Sequence, residues 1–273
     1  MPPAKSNSRI TRVLTWNILH GTERGAPWNR CGWPVRKLAL ASTLLATKPD
    51  ILCVQEAVNE QVEWLTSLLV GYNHVGVGRD DGHAQGEFCA IFFDRERFEQ
   101  LDAGTFWLEE PSDLPPRDTQ FGPKRICTWA RLRERQSGRA LRVYNVHLYL
   151  TESARVEAVR IILARIAQGE PTDAVLVAGD FNAPPETPNR LLFANAGLSS
   201  TDVQGGASPP TYQFYGIRTR SLDDVLVNSA WRIQSRRVLD VKPENTFPSD
   251  HFGVMADLML DSRAGQSAQG TIP

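Results

Sequence analysis

Ala174-Val-Leu-Val-Ala-Gly-Asp-Phe-Asn182 is the stretch from which the fold is read. Its first five residues are apolar and two are β-branched, the pattern of a short strand buried on both faces. Gly179 interrupts the run, and Asp180 and Asn182 follow two residues apart, so the strand ends in a polar site. A second phrase, Phe247-Pro-Ser-Asp250-His251-Phe-Gly-Val, places Asp250 and His251 just before another apolar run.

Working outward, short apolar runs predict buried strands over 12–16, 50–54, 88–93, 128–132, 141–147, 174–178, 222–228 and 252–258. Between some of them lie helical patterns. In 153–168 the residues Val156, Val159, Leu163 and Ile166 recur at steps of three and four, which predicts one apolar face. The segments 35–47 and 60–70 read similarly, and Pro49, Gly71, Gly169 and Pro171 supply the stops. Strands outnumber helices, and two sheets packed face to face with helices outside give every apolar face a partner.

The chain has 273 residues, 41% hydrophobic and 22% charged, with a net charge of −1 and a sequence pI of about 6.5. That suits a globular chain with a large core. It lacks the global basic excess that grips a nucleic-acid duplex. Of the four cysteines, Cys31, Cys53, Cys89 and Cys127, no two form a C-x-x-C pair, so buried free thiols are expected rather than a zinc site. No stretch approaches the ~18 apolar residues of a membrane span, and the polar N-terminus has no signal-like core. A cytoplasmic monomer is expected. Residues 1–10 read as a disordered lead-in, 11–260 as one catalytic domain, and 261–273 as a flexible tail.

Polar residues recur where the predicted strands begin or end. Thr15-Trp-Asn17 closes the first and Cys53-Val-Gln-Glu56 the second. Gly86-Glu87-Phe opens the third, and Asn145-Val-His147 closes a later one. Leu222-Asp223-Asp224 and Ser249-Asp250-His251 complete the set. One Asn or His at a strand end is ordinarily a turn or structural residue; so many in one chain point to chemistry. Phosphoryl transfer needs positioning and charge neutralisation more than covalent help. Glu56, Asn17 and Asp250 offer oxygens to a hard cation. A histidine beside a carboxylate keeps one tautomer and favours the charged form, and Asp223–His251 and Glu87–His147 are two such candidate pairs.

With WN at 16–17, QE at 55–56, N-x-H at 145–147, GDFN at 179–182, LD at 222–223 and SDH at 249–251, the chain resembles the endonuclease/exonuclease/phosphatase superfamily from about residue 12 to 258. The resemblance implies an α/β fold, a four-layer sandwich of two packed mixed β-sheets flanked by helices, with the site where the sheets' loops meet. It implies a phosphoester hydrolase dependent on Mg²⁺ or Mn²⁺, acting on nucleic acid or a phosphorylated small molecule. It also implies roles. Glu56 matches the principal metal ligand, with Asn17 and Asp250 beside it. Asp180 matches the group that deprotonates water, and Asn182 a phosphate or metal ligand. His251 matches the histidine on the scissile phosphate, oriented by Asp223. His147 matches a histidine near the leaving oxygen, steadied by Glu87. Arg125 and Asn145 are placed with the substrate, Arg125 on phosphate or, alternatively, in a surface ion pair.

Three features depart from the pattern or stand outside it. Asp224 occupies a position where an aromatic residue is common, and is expected to face solvent or, alternatively, to repel a polyanion. The loop 21–33 carries Trp28, Arg30 and Trp33, which suit packing or stacking on a base or sugar. Tyr212, Phe214, Tyr215, Arg218 and Arg220 interleave aromatics with arginines just before Asp223, fitting a phosphorylated ligand or an ordinary hairpin.

Overall fold

The computed structural model describes residues 9–21, 32–203, 207–214 and 217–261. Residues 1–8 of the expected lead-in, 262–273 of the tail, and Trp28, Arg30 and Cys31 of the loop lie outside that set, as does Tyr215.

In chain order the strands begin with β1 (Thr11–Asn17), β2 (Ile51–Ala57), β3 (Tyr72–Val75), β4 (Phe88–Asp94) and β5 (Phe98–Trp107). They continue with β6 (Ile126–Glu134), β7 (Ala140–His147), β8 (Ala174–Asp180), β9 (Ser199–Ser200) and β10 (Tyr212–Phe214). The last are β11 (Ile217–Arg220), β12 (Asp223–Val227), β13 (Trp231–Leu239) and β14 (Gly253–Leu260). Four α-helices are described: α1 (Trp33–Thr47), α2 (Asn59–Leu68), α3 (Glu152–Ala167) and α4 (Pro188–Asn195). One six-stranded sheet runs β13-β14-β1-β2-β4-β3 and the other β5-β6-β7-β8-β12-β9, with β10-β11 a separate ribbon. Each large sheet has one parallel pair, β1 with β2 and β7 with β8.

Alternating side chains of the same strands fill different layers. Val13, Ile51, Cys53, Ile91 and Phe93 of the first sheet meet Leu132, Val143, Leu176, Ala178 and Val225 of the second. On the outer face of the first sheet, Leu14, Leu52, Val54 and Phe92 pack on Leu40 and Leu44 of α1 and Val62 and Leu65 of α2. On the outer face of the second, Tyr144, Val146, Val175 and Val177 pack on Ala158, Val159 and Ile162 of α3 and Phe193 of α4. The result is the four-layer α/β sandwich. Each fully buried Leu or Ile contributes roughly 1.5–3 kcal/mol.

Helix ends follow local chemistry. Pro34 lies in the first turn of α1, and Lys48 closes it with φ 45 before Pro49. Arg142 Nη1 donates to the Ile166 carbonyl at the end of α3. The buried stripe of α3 runs through Ala154, Ala158, Val159 and Ile162. Val156, Leu163 and Ile166, assigned to that stripe from the sequence, flank it and are only partly covered. Small alanines permit the close approach to the sheet, which a count of large apolar residues overlooks. No helix among the described residues is long and apolar enough to cross a membrane.

Candidate active site

The parallel strands β1, β2, β7 and β8 end at the same rim of the sandwich, so Asn17, Glu56, His147 and Asp180 converge there. In the antiparallel β12, Asp223 starts the strand and is the register partner of Asp180. Gly179 makes the approach possible. Its φ is +149, and a Cβ there would lie 2.0 Å from the Val146 carbonyl oxygen on β7. The β2–β4 register shifts between Val54 and Ala57, and Glu56 in that bulge has φ 60. Asn182 has φ 49. Non-glycine residues in the left-handed region cost energy and cluster where side chains must be aimed.

His251 is fixed from several sides. Its Nδ1 lies 2.8 Å from Asp223 Oδ2, and its backbone carbonyl accepts the Trp16 indole N–H at 2.9 Å. Ser249 Oγ donates to the Asn17 carbonyl and accepts the His251 N–H at 3.2 Å. His251 Nε2 stands 3.7 Å from Asp180 Oδ2. Burial opposes the imidazolium, but Asp223 and then Asp180 outweigh it, and the pKa is raised to about 10. Asp180 is 1% exposed. Burial, then Asp223, push its pKa up to about 7, against His251, the Asn182 N–H and the Asn17 amide.

His147 differs from the expectation. Its Nδ1 is 4.0 Å from Glu87 Oε2, too far for a hydrogen bond, and its Nε2 is 3.5 Å from Asp180 Oδ2. Arg79 Nη1 takes the same Glu87 oxygen at 2.5 Å. Burial, then Arg125, His251 and Arg79, hold the His147 pKa well below the ordinary value, so its ring is neutral. Burial and the like charge of Glu56 raise Glu87.

Asn145, expected at the substrate, is fully buried between the sheets. Its Nδ2 donates to the Val54 and Ala90 carbonyls, and its Oδ1 accepts from Gln55 Nε2 at 2.7 Å. It pins one sheet to the other, because it sits one pleat deeper than His147. Asn17, expected as a metal ligand, also bridges the two acids beside it. Its Nδ2 donates to Glu56 Oε1 at 2.8 Å and Asp180 Oδ2 at 3.1 Å, while its Oδ1 accepts the Leu19 N–H. Asn182 lies partly exposed at the rim, its Nδ2 donating to the Leu148 carbonyl and its backbone N–H to Asp180 Oδ1. Arg125 is buried rather than on the surface, 3.9 Å from Glu87, and its Nε and Nη1 have no hydrogen-bond partner among the described residues. Asp224 faces away from both site and solvent, 3% exposed, and accepts Arg190 Nη2 and Ser200 Oγ.

Glu56 and Asp250 are carboxylates at this rim that could hold a cation. Burial raises the Asp250 pKa and the charge of Glu56 adds to it. Two crowded oxygen donors of like charge fit a hard divalent ion. Asp180, Asp223 and His251 also bring ligand atoms within 4.8 Å of one another, but there the imidazolium itself already supplies the cation between the carboxylates. Sequence reasoning gave no role to Arg79, which reaches Glu87 from eight residues away, or to Ser249, whose bond to Asn17 spans most of the chain. Tyr212, flagged only as one of an aromatic-rich stretch, puts its ring 5.0 Å from that of His251.

The comparisons with known proteins agree with this fold. The chain is 24% identical over 308 residues to Nocturnin of Drosophila melanogaster, covering 91% of this chain and 46% of that protein, so it spans about half of that relative's length. A solved endonuclease/exonuclease/phosphatase from Bacteroides vulgatus superposes with a TM-score of 0.85 at 25% identity, over 93% of this chain and all of that one. A mannosyl-6-phosphatase from Bacteroides thetaiotaomicron superposes with a TM-score of 0.81 at 26% identity, over 91% of this chain and 99% of that one. The model of the Endonuclease/Exonuclease/phosphatase family matches residues 14–251, from the first buried strand to the histidine paired with Asp223. On that match and the shared architecture, the chain belongs to the Endonuclease/Exonuclease/phosphatase family.

Proposed function

We propose that this protein is a divalent-metal-dependent phosphoester hydrolase in which Asp180 deprotonates a water that attacks phosphorus in line. One observation carries the reading: the buried Asp180 carboxylate stands 3.5 Å from His147 Nε2 and 3.7 Å from His251 Nε2, the latter ring held by Asp223 at 2.8 Å. Burial and the neighbouring Asp223 raise the pKa of Asp180, which strengthens it as a proton acceptor. The His251 imidazolium, held by Asp223, donates from Nε2 to a phosphoryl oxygen. Neutral His147 and Asn182 line the same rim, and the buried Arg125 guanidinium beside Glu87 adds positive charge behind it for the phosphate. Glu56 and Asp250, with Asn17 beside them, would hold Mg²⁺ or Mn²⁺, which would polarise the phosphoryl and leaving oxygens.

A small phosphorylated molecule is the favoured substrate class. The net charge is −1, and charged groups near the site are largely compensated locally: Arg79 on Glu87 and Arg218 on Asp240. The likeness to a mannosyl-6-phosphatase supports this reading. A second reading, hydrolysis of short nucleic acid, rests on Tyr212 beside His251, followed by the exposed strand of Arg218 and Arg220. The enzyme is proposed to act as a cytoplasmic monomer, in keeping with the buried free thiols of Cys53, Cys89 and Cys127. A panel of sugar phosphates, a generic phosphodiester, single- and double-stranded DNA, RNA and phospholipid, each with Mg²⁺ and Mn²⁺ over a salt series, tests the reading. The fastest turnover is expected on a small phosphoester with little salt dependence; faster, steeply salt-sensitive turnover of nucleic acid would select the second reading.

A further inference from the structure

Behind the site, on the outer face of the second sheet, lies a buried charge cluster the proposed chemistry does not use. Arg190 of α4 is 6% exposed. Its Nη2 donates to Asp224 Oδ2, and its Cζ lies 4.2 Å from the centroid of the Phe181 ring. Asp224 also accepts Ser200 Oγ at 2.7 Å and faces Arg236 Nε at 3.8 Å. Arg236 Nη1 in turn reaches Asp202 at 3.5 Å.

The neighbours of these contacts matter. Asp224 directly follows Asp223, and Phe181 directly follows Asp180. Asp223 and Asp180 are paired across β12 and β8. One guanidinium therefore grips, from the rear, both strand ends whose other faces carry the site carboxylates. A buried ion pair is weak evidence for stability, because packed apolar residues of the same volume often serve as well or better. Fixed orientation is something the charged pair and the planar stack supply together: the ion pair sets the height of the β12 end, and the stack sets that of the β8 end. Lysine, a flexible point charge, reproduces neither the fork nor the stack.

We propose that Arg190 is a positioning residue for the Asp180–Asp223 pair. This rests on the catalytic roles proposed above for those two aspartates. Displacement of reacting groups by about 1 Å costs on the order of 10²-fold in rate. Arg190→Lys should accordingly lower kcat on bis(p-nitrophenyl) phosphate with Mg²⁺ by roughly 10- to 100-fold, with KM little changed. Arg97→Lys is the control for a merely structural arginine. Arg97 is equally buried and pairs with Asp50 at 2.6 Å, but at the opposite ends of the strands. It should lower Tm and leave kcat intact.

The deciding readout is a cycle of Arg190→Lys with Asp180→Asn. If Arg190 acts through the aspartates, Arg190→Lys adds little further loss in the Asp180→Asn background. If Arg190→Lys does not fold, Asp224→Asn and Ser200→Ala carry the same test, each lowering kcat more than an equal loss of Tm caused by Arg97→Lys. Wild-type kcat in the folded variants, or fully additive losses with Asp180→Asn, would overturn the positioning role. Wild-type kcat in Asp180→Asn alone would instead overturn the catalytic reading beneath it.

Discussion

Replacing Asp223 with Asn removes the charge that keeps His251 an imidazolium while preserving the side chain's shape. The bond lost is 2.8 Å long, between side chains 7% and 0% exposed, so water cannot substitute for it. A charge-assisted bond broken in such surroundings costs about 2–4 kcal/mol. If the loss falls on the transition state, kcat drops roughly 30- to 900-fold with KM little changed. The assay is steady-state hydrolysis of a chromogenic phosphodiester at saturating Mg²⁺, for Asp223→Asn, His251→Ala and the double variant. The two residues act as one unit, so the double variant should be about as slow as His251→Ala alone. Multiplicative losses would refute the pairing. Asp224 offers no substitute partner, since its carboxylate points to the opposite face and is occupied by Arg190.

Three further outcomes are expected. Gly179→Ala should destabilise the fold by at least about 1–3 kcal/mol, because its Cβ meets a backbone oxygen on β7; an unchanged urea midpoint would contradict this. Cys53, Cys89 and Cys127 are buried with thiol pKa values raised chiefly by burial, so iodoacetamide at pH 8 should leave them unmodified until the protein unfolds, as peptide mass spectrometry would show. In EDTA, Asp180→Asn should be more stable than wild type at pH 8, by an amount that shrinks towards pH 4. The sign follows from the raised folded pKa of about 7: between the unfolded value and 7 the folded state binds the extra proton, so wild-type stability falls as pH rises through that range. Equal urea midpoints at pH 8 would mean that Asp180 carries no burial penalty.

Much of this was legible because a strand buried on both faces is a run of apolar residues, and its end is where polarity returns. The GDFN and SDH phrases, and the order of the others, located the rim. The edges of the sheets were less visible. In β13, Trp231 to Leu239, arginines and glutamine alternate with apolar residues, and β5 carries acids along its exposed face, so neither makes a continuous apolar run. Asn145 and His147 share a face, as their spacing dictates, but one lies a pleat below the other, and depth alone turns a site residue into an inter-sheet pin. The placement of Asp224 depends on Arg190 and Arg236, which arrive from α4 and β13, and no local pattern announces such a meeting. His147 still faces Glu87 at 4.0 Å, but Arg79, from a loop outside every motif, takes the nearer bond to that acid, and no spacing in the sequence reveals it.

The most direct measurement is hydrolysis of a phosphoester by wild type, Glu56→Gln and Asp180→Asn, first in EDTA and then with Mg²⁺ or Mn²⁺ added back. The account predicts no wild-type activity in chelator and full recovery with the metal. It predicts weakened metal response in Glu56→Gln, and a kcat on the order of 10³-fold lower, about 4 kcal/mol, in a folded Asp180→Asn at any metal concentration. Undiminished wild-type turnover in excess EDTA, or wild-type kcat in Asp180→Asn, would contradict it.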